Sequence, residues 1–130
     1  MLSIQNFWKN LQTQRKINQI VRDAWMHTDK NMYDCVELAD MLTVRLDKEE
    51  IPYKVIDITT NPPGEELCHV GYRHTDKEGN VKQFAQYGHR VVETKGLIFD
   101  PYFTKRLTLD EYLIEAYDPP EDVDIVAVYQ

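Results

Sequence analysis

The spacing of apolar residues changes at Pro52, and this change constrains the fold more than any other feature of the sequence. Before Pro52, apolar residues recur every three or four positions, which is typical of amphipathic helices. From Tyr53 onward they alternate with polar residues, which is typical of strands. The order predicts an α+β fold, with N-terminal helices packed on an antiparallel sheet. A chain of 130 residues has the size of one domain with its own core, so we expect residues 1–130 to form a single domain.

Two helices are predicted before this change. The first spans residues 3 to about 27, as one long helix or two short ones, because its apolar residues fall on one face. The second begins after Asp34, a good N-cap residue, and must end before Pro52.

The strands are predicted from the two-residue period and from the turn residues between them. They span residues 53–58, 67–75, 81–87, 89–93, 97–99 and 123–129. Residues 59–66 are predicted to be an exposed loop. Thr108 and Glu111 have capping-box spacing and predict a short helix up to Ala116, followed by a linker, DPPED.

The net charge of −7 argues against binding to nucleic acid, because that affinity comes largely from Lys and Arg side chains that displace counterions. The excess lies in residues 107–130, which contain no Lys or Arg and seven acids: Asp110, Glu111, Glu115, Asp118, Glu121, Asp122 and Asp124. A solvated surface is the simpler explanation of this acidic segment. A patch that binds a basic protein partner is the alternative.

No stretch approaches the roughly 20 apolar residues that span a bilayer, and the first ten residues do not resemble a signal peptide. We therefore expect no membrane association and a cytoplasmic location. Two cysteines are too few for a secreted disulfide scaffold, and in a reducing compartment they are expected to be thiols.

Cys35 is the first candidate for chemistry. It falls in the first turn of the second predicted helix, after Asp34 and before Glu37. The partial positive charge at a helix N-terminus favours the thiolate, which is the nucleophilic form of cysteine. By itself, a cysteine on an apolar helical stripe is more often a small core residue.

A cysteine nucleophile needs a base, and the base needs a group that orients it. Residues 88–103, GHRVVETKGLIFDPYF, offer both. If Lys95 and Gly96 form a two-residue turn, Asp100 lies on the same sheet face as His89 and diagonal to it, within side-chain reach. A shift of one residue would send Asp100 to the other face.

Together these features resemble the transglutaminase-like branch of the papain-like cysteine protease superfamily. The likeness covers residues 33 to about 103. Its motifs are the cysteine that opens a helix (YDCVELADMLTVRL), the Ile-Pro pair before a strand (IPYKVI), His-x-x-x-Glu on one strand and Gly-x-x-x-Asp-Pro on the next. The resemblance implies a papain-like fold with Cys35 as nucleophile, His89 as base and Asp100 as its orienting residue. It gives Glu93 a structural role.

The sequence departs from the family pattern at three places. Glu50 stands where the family usually has a glycine before the Ile-Pro pair. Val91 stands where an aromatic residue commonly follows the histidine. Residues 67–87 form an extra hairpin relative to the shortest members.

A second assignment within the superfamily is the NlpC/P60 cell-wall peptidases, which YDCVEL and CHVGYRH resemble. It makes His69 the base, but it provides no orienting residue at matching spacing. Cys68, His69 and His74 also suggest the start of a metal site. No second pair at ligand spacing exists, so we expect neither a metal nor another cofactor.

The residues and the resemblance therefore predict a cysteine-nucleophile hydrolase or acyltransferase that uses a Cys35–His89–Asp100 triad. Its expected target is a peptide or glutamine-type amide bond in a peptide or protein substrate. The alternative from another class is a catalytically inert domain of the same fold that binds a protein.

Overall fold

The computed structural model describes residues 4–26, 35–60, 70–75, 79–85 and 88–129. Three α-helices lie within these ranges: α1 (Ile4–Met26), α2 (Cys35–Lys48) and α3 (Leu109–Ala116). The strands are β1 (Lys54–Thr59), β2 (Gly71–Thr75), β3 (Val81–Ala85), β4 (Gly88–Thr94), β5 (Leu97–Asp100), β6 (Phe103–Leu107), β7 (Tyr117–Asp118) and β8 (Asp124–Tyr129). A 3-10 turn, Pro120–Asp122, precedes β8.

The strands form two antiparallel sheets. The larger sheet has the order β6-β5-β4-β1-β8, and the smaller one has the order β3-β2-β7. In the larger sheet, β4 pairs with β1 along one edge and with β5 along the other. It is therefore an interior strand. Helices packed on an antiparallel sheet confirm the α+β prediction.

The long helices cover one face of the larger sheet, the helix face. The buried cluster on this side is almost entirely aliphatic and aromatic, and burial of each large side chain contributes about 1.5–3 kcal/mol. Its members are Ile17, Ile20, Val21, Ala24, Trp25, Leu38, Ala39, Leu42, Leu46, Ile51, Val92 and Phe99. This cluster accounts for the apolar stripes of both predicted helices, and α1 is one continuous helix.

The opposite face of the larger sheet, the tyrosine face, is covered by α3 and by the smaller sheet. Its buried cluster contains three fully buried tyrosines among aliphatic residues: Ile56, Ile58, Val70, Tyr72, Val91, Ile98, Phe103, Tyr112, Ala116 and Tyr117. Neighbouring residues along β4 and β5 alternate between the two clusters, as the strand period requires. Phe99 thus lies on the helix face, while Asp100 lies on the tyrosine face.

Helix α2 ends in a hydrogen-bonded cap at the place where the family usually has glycine. The Ile51 N–H donates to the Leu46 carbonyl at 3.0 Å, and the Glu50 N–H donates to Asp47 at 3.0 Å. This is the pattern of a Schellman motif, which places its C′ residue in the left-handed region. Glu50 takes that conformation, with φ 57°, although it carries a Cβ. The chain therefore leaves α2 toward β1 without the glycine.

Two strands lie where the sequence predicted none. Residues 103–107 form β6, although its pattern is interrupted by two basic residues. Tyr117 and Asp118, at and just before the start of the predicted DPPED linker, pair with β2, because the chain leaving α3 passes the free edge of that strand. The predicted capping box is confirmed: the Thr108 hydroxyl accepts from the Glu111 N–H, and the Glu111 carboxylate accepts from the Thr108 N–H.

No helix in the described ranges is long and apolar enough to cross a membrane.

Candidate active site

A tight turn sets the register of the two strands that carry the predicted base and its orienting residue. Lys95 and Gly96 have φ of 54° and 78°, and positive φ at both central residues is the signature of a type I′ hairpin. The resulting pairs are Val92–Phe99, Glu93–Ile98 and Thr94–Leu97. This register puts His89 and Asp100 on one face, so the predicted two-residue turn and shared face are confirmed.

His89 and Asp100 form a buried ion pair on the tyrosine face. The distance from His89 Nε2 to Asp100 Oδ2 is 2.9 Å. Their side chains are 0% and 1% exposed, so water competes for neither group. A contact of this kind fixes the plane of the imidazole and leaves Nδ1 as its second functional atom.

Asp100 is the centre of a larger hydrogen-bond cluster. Its Oδ2 also accepts from the Tyr72 hydroxyl and, at 2.6 Å, from the Tyr112 hydroxyl. Its Oδ1 accepts from the backbone N–H of Tyr102 at 2.9 Å. Both carboxylate oxygens are therefore satisfied, which is what a buried charge requires.

Cys35 lies near the His89 imidazole. It is the first residue of α2 and is partly exposed. Its side chain is close enough to His89 to raise the pKa of the imidazole. His89 Nδ1 is buried and completes no hydrogen bond of standard geometry within the described ranges. Because Asp100 occupies Nε2, Nδ1 is the nitrogen left for the thiol, and such contacts are often loose before substrate binds.

The electrostatics of the cluster favour a protonated imidazole. Burial by itself lowers the pKa of His89, but the charge and hydrogen bond of Asp100, followed by those of Cys35, outweigh it and raise that pKa to about 10. Burial opposes the ionisation of Asp100, yet His89 and the two phenols hold the pKa of the carboxyl below its usual value. The pair is thus charged at neutral pH, and the imidazolium stabilises a neighbouring thiolate.

The structure brings together the three residues predicted for the site, and it adds two that were missed. Tyr72 and Tyr112 are each 0% exposed and donate to the same carboxylate oxygen as His89. Both phenols have a pKa raised well above 10, first by burial and then by the charge of Asp100. Tyr72 lies in the β2–β3 hairpin. A tyrosine at an inward strand position was the available signal, because a buried phenol needs an acceptor.

Other predicted candidates lie elsewhere. Cys68 and His69 fall outside the described residues, and Glu93 lies on β4 opposite Ile98. Across the described ranges, no group of three or more His, Cys, Asp or Glu side chains is arranged to hold a metal.

Several acids of residues 107–130 contact their own chain. Glu111 completes the α3 capping box. Glu115 pairs with Lys105 at 2.5 Å, and Asp118 lies 3.9 Å from Arg73. Part of the acidic segment therefore has an internal structural role.

Comparison with protein-family models, with curated proteins and with solved structures found no match.

Proposed function

We propose that this protein is a cysteine-nucleophile hydrolase or acyltransferase of a papain-like, transglutaminase-like fold. The observation that carries the proposal is the His89 ring, which is buried, held through Nε2 by Asp100 and left with Nδ1 for Cys35. A base fixed by a carboxylate beside a thiol is the arrangement that thiol catalysis requires. Its three members are supplied by the first residue of a helix and by two adjacent strands, as in the family that the motifs resemble.

The proposed reaction begins with the Cys35 thiolate. Its sulfur attacks the carbonyl carbon of an amide, and the tetrahedral intermediate collapses when the C–N bond breaks and the leaving amine takes the proton of the His89 imidazolium. The acyl group then remains on sulfur as a thioester. Neutral His89 takes a proton from an incoming water or amine, which attacks the thioester and releases the thiolate. Water gives hydrolysis or deamidation, and an amine gives transamidation.

Peptide and glutamine-type amides of a peptide or protein are the proposed substrates, and a cytoplasmic location would keep the thiol reduced.

A basic protein partner at the acidic segment is a separate proposal. It would use the exposed acids of residues 107–130, and neutralising them would abolish binding without changing the thiol.

The direct test is the rate at which each cysteine reacts with iodoacetamide at pH 6, measured by mass spectrometry. An ordinary thiol with a pKa of about 8.5 is well under 1% thiolate at that pH, so a thiolate at Cys35 should react up to roughly a hundredfold faster than an unfolded peptide control. His89→Ala should return the Cys35 rate to that of the control. Cys68 is the internal reference in the same sample.

The alternatives give different outcomes. If His69→Ala rather than His89→Ala removes the fast reaction, the NlpC/P60-like assignment is favoured. If Cys68 reacts before Cys35, or if neither histidine matters, the enzyme proposal is wrong and the inert binding domain becomes the better explanation.

A further inference from the structure

Two phenols and one imidazole share a single oxygen of Asp100. Tyr72 comes from β2, Tyr112 from α3 and His89 from β4, and all three reach Oδ2. The β4–β5 register puts the side chains of His89 and Asp100 on one face of the sheet. Because this register is set by the strands, the property of the pair that the phenols act on directly is the charge of Asp100.

A carboxylate oxygen can accept only a limited number of strong hydrogen bonds. Each phenol that donates to Oδ2 draws electron density toward itself and turns the positive end of its O–H dipole toward the oxygen that His89 contacts. Both effects weaken the attraction between that oxygen and the imidazolium. Because all of these groups are buried, solvent screening does not cancel them.

We propose that Tyr72 and Tyr112 are positioning residues that disperse the negative charge of Asp100 and so limit how strongly it holds the His89 proton. The proposal rests on the proposed function, in which that proton must leave His89 during each turnover. An aspartate without the phenols would bind the imidazolium so tightly that transfer to the leaving amine is impaired.

Other ionisable groups also surround the pair. Cys35 on α2 and Tyr117 on β7 face it, and Arg106 on β6 acts on Asp100 through its charge while lying over the rings of Trp25 and Phe99. Tyr117 provides a matched control. It is 0% exposed and packs against the rings of both phenols, and its hydroxyl is affected by the charge of Asp100 and by a hydrogen bond with Tyr112.

The test is the pKa of His89, measured by NMR of the labelled imidazole in a Cys35→Ala background. Removing the thiol makes the measurement independent of whether Cys35 is a nucleophile. Tyr72→Phe and Tyr112→Phe should each raise this pKa, by about 0.5 unit, a fraction of the effect of one hydrogen bond. The double variant should raise it further, and Tyr117→Phe should change it less than either single variant, because the Tyr117 hydroxyl acts on Asp100 through Tyr112.

A variant that retains the hydroxyl covers the case in which the phenylalanine variants fail to fold. Site-specific 3-fluorotyrosine at position 72 or 112 makes the phenol a stronger donor, so the pKa of His89 should fall. An unchanged pKa in folded variants would show that the tyrosines only pack. A lower pKa in the phenylalanine variants would show that they hold Asp100 against His89, and either result overturns the proposal.

The two proposals fail separately. If the wild-type thiol reacts no faster than Cys68, the proposed function fails even when the pKa of His89 responds to the tyrosines. If Cys35 is alkylated rapidly and this rate depends on His89, but the pKa of His89 is the same in the tyrosine variants, only the role given to Tyr72 and Tyr112 fails.

Discussion

The two faces of the larger sheet are held together by different forces. On the helix face, α1 and α2 cover a cluster of aliphatic and aromatic side chains that do not titrate. On the tyrosine face, a buried charge, an imidazole and phenols share one hydrogen-bond cluster. The helix face should therefore supply stability that is insensitive to pH, whereas the tyrosine face makes stability and thiol chemistry depend on protonation. Phe99 and Asp100, adjacent on β5, belong to opposite faces and allow a direct comparison.

The largest effect is expected from Phe99→Ala. Phe99 is 1% exposed and touches Trp25, so truncation leaves a cavity and should lower the free energy of unfolding by about 3–5 kcal/mol. Urea denaturation should give the same loss at pH 5 and pH 8. The alkylation rate of Cys35 per folded molecule should not change, and a change in that rate would break the separation between the two faces.

Asp100→Asn should cost less stability but abolish the thiol reaction. The Asn oxygen can still accept from the Tyr102 N–H, which leaves its NH₂ against His89 and the two phenols. The loss should be about 1–3 kcal/mol, since hydrogen bonds to a charged group are replaced by poorer ones. His89 would then accept at Nε2 and carry its proton on Nδ1, the wrong tautomer for taking a proton from Cys35. Retention of fast alkylation in this variant would contradict the triad.

The pH dependence of the free energy of unfolding should also distinguish the two faces. The folded pKa of His89 is raised to about 10 from 6.5. Its contribution to the free energy of unfolding is therefore complete below about pH 6.5 and is lost as the pH rises toward 10. Asp100, with its lowered pKa, contributes above its ordinary value of 3.8 and loses that contribution as the pH falls through its folded pKa.

In a Cys35→Ala background, the free energy of unfolding should therefore fall between pH 7 and 9, by up to about 1.4 kcal/mol per pH unit. His89→Gln should flatten this slope. A slope that survives the substitution would assign the pH dependence to another group.

The smallest effect is expected at the end of α2. Glu50 holds φ 57°, a conformation that glycine adopts without a steric penalty, so Glu50→Gly should raise stability by about 0.5–1 kcal/mol. Thermal denaturation at neutral pH measures the gain. Because this cap belongs to the helix face, the pH profile of Cys35 alkylation should be unchanged, and a shifted profile would show that α2 transmits strain to the thiol.

Local rules predicted the elements that carry the candidate triad. The Lys95-Gly96 turn determined which residues of β4 and β5 share a face, and the capping box at Thr108 and Glu111 determined where α3 begins. Each of these signals is contained within a few residues. Cys35 was placed at a helix start from the same kind of local pattern.

The partners of Asp100 lay beyond such rules. Tyr72 is 28 residues away in sequence and Tyr112 is 12 residues away. These contacts form only because the strands divide into two sheets. The two-residue period of a strand does not show to which sheet the strand belongs. β7 was missed for a related reason, since its pairing with β2 depends on where α3 directs the chain and not on its own residues.

The separations along the chain also set an order of events when the protein refolds. His89 and Asp100 are 11 residues apart and meet through one tight hairpin, a structure that forms within about 1–10 μs. Closing the 28-residue loop to Tyr72 costs roughly 0.8 kcal/mol more entropy, and it also requires β2 to dock. We expect pulse-labelled hydrogen exchange to find β4 and β5 amides protected before those of β2. For that interval the ion pair is still open to water, so its desolvation is deferred to a late step of folding.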